Sequence, residues 1–237
     1  MVDTSAGECH DAYSLIFRYA RRRALYRRLS RITREGLFLF VEEEVIKVAI
    51  LIDGGCLRAR MKQAKLRYDP NHIEAVALNC PRLDENLLRI LYYDCAPYAG
   101  NVKLPVSGKP HAFPGSDAWL QELARKDLFA VRRGLLKFRG FVPKRTPIAS
   151  TPLTDSDFKP SFEQKGVDMR IGLDIAQYAN AKSVERIVLI TEDTDCVPAM
   201  KHARKAGLQV VLMSLPNSHL APELREHSDF LRSVAWP

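Results

Sequence analysis

The chain lacks several signatures that would assign it quickly. No apolar run approaches the length needed to span a bilayer, and the patch Gly36-Leu37-Phe38-Leu39-Phe40-Val41 is far too short. No secretory signal is visible, because an arginine cluster interrupts the first apolar patch. The five cysteines (Cys9, Cys56, Cys80, Cys95 and Cys196) include no C-x-x-C pair, which argues against a zinc ribbon and a thioredoxin-like motif. Their odd number and irregular spacing point to reduced thiols in a cytoplasmic protein without a membrane partner. No glycine-rich fingerprint follows the first strand-like run, where Asp53-Gly54-Gly55-Cys56 stands instead, so a dinucleotide-binding enzyme is disfavoured. No internal repeat is evident.

What is present is an ordinary globular composition with a basic excess. Of 237 residues, 46% are hydrophobic and 27% charged, enough for one sizeable core with appendages. The net charge of +8 favours a polyanionic partner such as nucleic acid. Residues 1–46 hold eight arginines and seven acids, so the rest of the chain carries +7 of that charge. In this first segment Leu15, Tyr19, Leu25, Leu29 and Ile32 recur at roughly helical spacing with arginines on other faces. It reads as a basic N-terminal extension. A solvated helix or a non-native leader is favoured over a helix that grips nucleic acid or a membrane surface.

The main domain is expected over residues 47–237. Strands are predicted at Lys47–Ile52, Leu88–Tyr93, Arg133–Phe138, Arg186–Thr191 and Leu208–Met213, and helices at Leu57–Lys65, Ser116–Lys126, Val167–Asn180 and Val197–Lys205. Ser116 is the expected N-cap of its helix, and Gly207 the stop after Lys205-Ala206. Alternating strands and helices imply an α/β fold, a mostly parallel central sheet between two helical layers. Two long proline-rich connections, Tyr98–Gly115 and Phe141–Gln164, read as loops, and the second is expected to border a substrate groove. The basic, alternating run before it makes Arg133 and Lys137 candidate substrate contacts.

Acids mark the ends of two of these strands. Val48-Ala49-Ile50-Leu51-Ile52 ends in Asp53, and Arg186-Ile187-Val188-Leu189-Ile190 leads into Thr191-Glu192-Asp193-Thr194-Asp195; Asp168 opens a helical run after Lys165-Gly166-Val167. Open α/β sheets bind ligands at the carboxyl ends of their strands. Each acid has a bland alternative: Asp53 as a turn residue, Asp195 as an N-cap before Pro198, Asp168 as a favourable charge at a helix start. Together they would repel one another unless a cation neutralised them. Oxygen ligands of this kind suit a hard cation such as Mg²⁺ better than zinc, and suggest phosphoryl transfer. A haloacid dehalogenase-type phosphatase needs a second Asp two residues after the first, where Gly55 stands.

The runs Val48–Gly55, Lys165-Gly166-Val167-Asp168 and Thr191–Asp195 followed by Pro198, in this order, resemble the NYN domain, also described as LabA-like, of the PIN-like nuclease group. The resemblance spans roughly Lys47 to Val234. It implies a Rossmann-like PIN fold and Mg²⁺- or Mn²⁺-dependent ribonuclease activity on single-stranded or structured RNA. It also implies Asp53, Asp168 and Asp193 as catalytic metal ligands with Asp195 assisting, Lys165 near the phosphate backbone, and Thr191 bonding a phosphate or a water of the site. Glu192 stands where the family often has Gly; it either faces solvent, the favoured reading, or adds a carboxylate. Asp174, six residues after Asp168, lies about 240° around the helix and reads as structural. The alternative is a non-catalytic RNA-binding or scaffolding module on the same fold. A homo-oligomer is compatible with all of this.

Overall fold

A computed structural model describes residues 45–148 and 152–237, together with a two-residue antiparallel pairing of Arg31–Ile32 with Phe38–Leu39. The rest of the basic extension, with its proposed helix, lies outside the described residues. Within the domain the chain runs β1 (Ile46–Asp53), α1 (Gly54–Gln63), α2 (Pro70–Leu78), β2 (Glu85–Cys95), β3 (Ala99–Lys103), β4 (Pro110–Pro114), α3 (Ala118–Ala124), β5 (Phe129–Pro143), β6 (Phe158–Lys165), α4 (Val167–Ala181), β7 (Arg186–Ile190), α5 (Val197–Lys205), β8 (Gln209–Ser214), α6 (Pro222–Glu226) and β9 (Phe230–Ser233).

Seven strands form the central sheet in the order β9-β8-β7-β1-β2-β5-β6, parallel throughout except for the antiparallel β5–β6 pair. The central position of β1 explains its unbroken apolar run. Val48, Ile50 and Ile52 point into one core with α1, α2 and α3, while Ala49 and Leu51 point into the other with α4, α5 and α6. A strand covered on both faces needs apolar residues at every position. Helix α4 shows the matching period: Val167, Ile171, Ile175 and Ala179 are its buried residues. The expected three-layer α/β fold is therefore present. No described helix is long and apolar enough to cross a membrane.

The two predicted loops are corrected. Tyr98–Gly115 contains the β3–β4 hairpin, and Phe141–Gln164 contains the end of β5, a short 3₁₀ turn at Asp155–Asp157 and most of β6. Pro110, Pro114 and Pro160 suggested loops, but proline is tolerated at strand ends and on edge strands, where a backbone donor is dispensable. Helices α2 and α6 and strand β9 were not anticipated. The cap of α3 is Asp117 rather than Ser116, whose hydroxyl accepts from Ala118 N at 3.3 Å. Gly207 does end its helix, with φ +86°.

Candidate metal centre

The site begins with register. Ile52 on β1 sits beside Ile190 on β7, which sets Asp53 next to Thr191 at the carboxyl edge of the sheet. The Thr191 side chain is buried; its Oγ1 donates to Asp53 Oδ2 at 3.3 Å and accepts from Asp193 N at 3.1 Å. The other Asp53 oxygen accepts from the N–H groups of Gly55 (2.9 Å) and Cys56 (3.2 Å), so Asp53 caps α1. Gly54 is required at this turn, because a Cβ there would collide with the Tyr92 ring and come within 2.8 Å of Asp94 Oδ2.

Asp193 likewise caps the 3₁₀ turn Thr194–Cys196, accepting from Asp195 N at 2.9 Å. The cap expected of Asp195 thus belongs to Asp193, and Asp195 itself is exposed. Asp168 enters from β6 through Gly166, whose φ of +76° makes the left-handed turn into α4. The carboxylates of Asp168, Asp193 and Asp195 each offer an oxygen within 4.8 Å of the others. Asp53 stands outside that trio, joined to it through Thr191.

The electrostatics follow the geometry. Burial, then repulsion by Asp193 and Asp195, raises the Asp168 carboxyl above its ordinary 3.8. Burial raises Asp53 too, outweighing the hydrogen bonds from Cys56, Gly55 and Thr191, and Asp168 pushes it further. A divalent cation bound by these oxygens would relieve that repulsion, and the hard, all-oxygen donor set fits Mg²⁺ or Mn²⁺. Burial pushes the Cys56 and Cys196 thiols up to about 12, so neither is a thiolate nucleophile near neutral pH.

The remaining candidates are distributed around this centre. Lys165 is half exposed and paired with Glu163; Arg133 is paired with Asp117 at 2.5 Å; Lys137 is exposed, with no ion pair among the described residues. Glu192 neither faces solvent nor joins the acids: its carboxylate is held in a fork by the Arg60 guanidinium, with Nε at 2.7 Å. Asp174 accepts from Tyr93 Oη at 2.9 Å and from Arg132 Nε at 3.0 Å, a structural role.

One acid at this edge was missed. Asp94 is fully buried near the end of β2, where Arg58 (2.8 Å), the Cys95 N–H (2.7 Å), Tyr92 Oη (3.2 Å) and Gln164 Nε2 (3.3 Å) all donate to it. The signal that singled out Asp53, an acid ending an apolar strand, is present in Leu91-Tyr92-Tyr93-Asp94 as well. The predicted strand stopped one residue short of it.

A model of the NYN domain matches residues 121–233, a segment that contains Asp168, Asp193 and Asp195 but not Asp53. None of the curated proteins matches the chain. A crystal structure of a protein of unknown function from Vibrio parahaemolyticus is similar at 16% identity, covering 81% of this chain and 94% of that one, with a TM-score of 0.47. Residues 121–233 of this chain are therefore similar to the NYN domain, a PIN-like nuclease family.

Proposed function

We propose that the protein is a metal-dependent endoribonuclease acting on single-stranded or structured RNA. The observation that carries this reading is the trio of carboxylates from two separate elements, gathered at the ligand-binding edge of the sheet. Asp168, Asp193 and Asp195, with Asp53 behind Thr191, would hold Mg²⁺ or Mn²⁺. The ion, when bound, supplies charge that offsets the developing charge on a phosphodiester and acidifies water.

The chain's own groups do the rest. Asp53 is held at the edge of the acidic trio by hydrogen bonds from the Gly55 and Cys56 N–H groups and from Thr191, which orient its carboxylate toward the site. Thr191 fixes the Asp53 oxygen and the Asp193 backbone together, so the two acids keep their relative position. Lys165, Arg133 and Lys137 offer cations to the phosphates on either side of the bond that is cut. The free cysteines among the described residues, Cys80, Cys95 and Cys196 buried and Cys56 half-buried, suit a cytoplasmic setting.

Labelled RNA incubated with Mg²⁺, Mn²⁺ or EDTA tests the reading. Cleavage is expected only with metal, and Asp53→Asn or Asp193→Asn should lower it by at least about a hundredfold. Cleavage that survives both substitutions would remove these residues from the site. In the same preparations Mn²⁺ should raise the melting temperature of the wild type, by binding the folded state alone, and do so less in Asp193→Asn. RNA binding without metal-dependent cleavage would instead favour a scaffold.

A further inference from the structure

The two proline-rich connections fold against each other into a single arm. Tyr98 and Phe113 from the β3–β4 side meet Phe138 and Phe162 from β5 and β6, with ring centroids 5.5 to 5.8 Å apart. None of these rings belongs to either core of the domain. The tip of the hairpin is tied down separately: Asp155 accepts from the N–H groups of Val106 (2.9 Å) and Ser107 (3.1 Å). The arm is thus braced by its own contacts.

It also holds most of the protein's charge. Residues 96–116 contain two lysines and no acid, and residues 133–165 contain seven lysines and arginines against three acids, which together make +6 of the net +8. Each of the three acids is engaged within the arm: Asp155 on the hairpin tip, Asp157 with Thr154, and Glu163 between Arg139 and Lys165. Lys103, Lys109, Lys144 and Arg145 are exposed and make no ion pair among the described residues.

The arm's root lies at the acidic site. Gln164 donates to the buried Asp94, and its Oε1 would lie 3.3 Å from a Cβ added at Gly55, in the first turn of the helix that Asp53 caps. Four residues after Gln164 comes Asp168. An acidic cluster repels a polyanion, so affinity for one has to come from cations elsewhere.

We propose that this braced β-arm is the surface that grips an RNA strand and leads it to the carboxylate cluster. Lys103, Lys109, Lys144 and Arg145 supply backbone phosphate contacts beyond the bond being cut. The nuclease reading supplies the strand's destination, and the inference rests on it to that extent.

Fluorescence anisotropy of a labelled single-stranded oligoribonucleotide in EDTA measures the grip without cleavage. The variant K103E/K109E/K144E/R145E should raise Kd by at least about tenfold. For every phosphate that the variant no longer neutralises, the dependence of log K on log salt should become shallower by about 0.7. A control with four reversals on exposed lysines outside the arm, K62E/K182E/K201E/K205E, has the same net charge and should shift Kd by no more than about threefold. Equal weakening by both variants, or none by the arm variant, overturns the proposal. Circular dichroism and melting temperature confirm that each variant folds. Wild-type cleavage together with unchanged binding in the arm variant would sink the arm alone. Binding that depends on the arm, without cleavage in Mg²⁺ or Mn²⁺, would sink the nuclease reading alone.

Discussion

Asp53 joins a role in the fold to a place in the proposed site. It caps α1 through two backbone hydrogen bonds and also faces the acidic centre through Thr191. The two roles separate by substitution. Asp53→Ala removes the acceptor and should cost about 1 kcal/mol in urea unfolding of the metal-free protein. Asp53→Asn keeps an oxygen for the Gly55 and Cys56 N–H groups and removes a charge that burial disfavours, so its stability should match or exceed the wild type. Equal destabilisation by both would show that the cap contributes nothing. Glu192 is the opposite case. In sequence it sits among the acids of the site, yet its partner is Arg60, 132 residues away, and no local pattern could pair them.

At the scale of elements, α4 depends on how β6 hands the chain over to it. Gly166 makes that turn with a left-handed backbone, and a side chain there is strained. The nearest atom to an added Cβ belongs to the flexible Arg170 guanidinium, which can move, so the cost is conformational. Gly166→Ala should therefore destabilise by about 1–2 kcal/mol. It should also displace Asp168 and weaken Mn²⁺ binding, which isothermal titration would read; wild-type stability and affinity would show that the turn tolerates a side chain. The same scale explains what pattern reading missed. Helix α2 opens with Asp69 as N-cap and Pro70 at its first position, a helix-start signal that was legible. Of the arm's strands only β5 was legible, from the alternation of Arg133–Phe138; β3, β4 and β6 were hidden because proline-rich, half-exposed strands carry no continuous apolar run to betray them.

Across the whole molecule, the edge of the sheet opposite the acids is held by a buried charge cluster. Glu85, at the start of β2, accepts from Arg186 of β7 at 2.5 Å and from Arg232 of β9 at 2.9 and 3.0 Å, and from the Arg82 N–H at 2.8 Å. Burial alone would raise its carboxyl, but the hydrogen bonds from Arg232, the Arg82 N–H and Arg186 outweigh it and hold the group below its ordinary 4.5. A carboxyl lowered by folding stabilises above its unfolded value and loses that contribution as pH falls through the folded one. Stability measured by denaturant should therefore decline below about pH 4.5, and Glu85→Gln should flatten that decline. At neutral pH the same substitution leaves two buried arginines underpaired and should cost about 3–5 kcal/mol; an unchanged acid limb would refute the assignment. What the sequence determined by itself was everything that local chemistry writes into a short window. The doubly apolar β1, the period of α4, the Gly207 stop and the acids at strand ends follow from burial and backbone geometry alone. The tertiary structure decided which acids meet, that Asp94 and Glu85 are buried and compensated, that Glu192 is drawn away by Arg60, and that two apparent loops form one cationic arm. Those outcomes depend on pairings between distant residues, whose energies arise only once the sheet has brought them together.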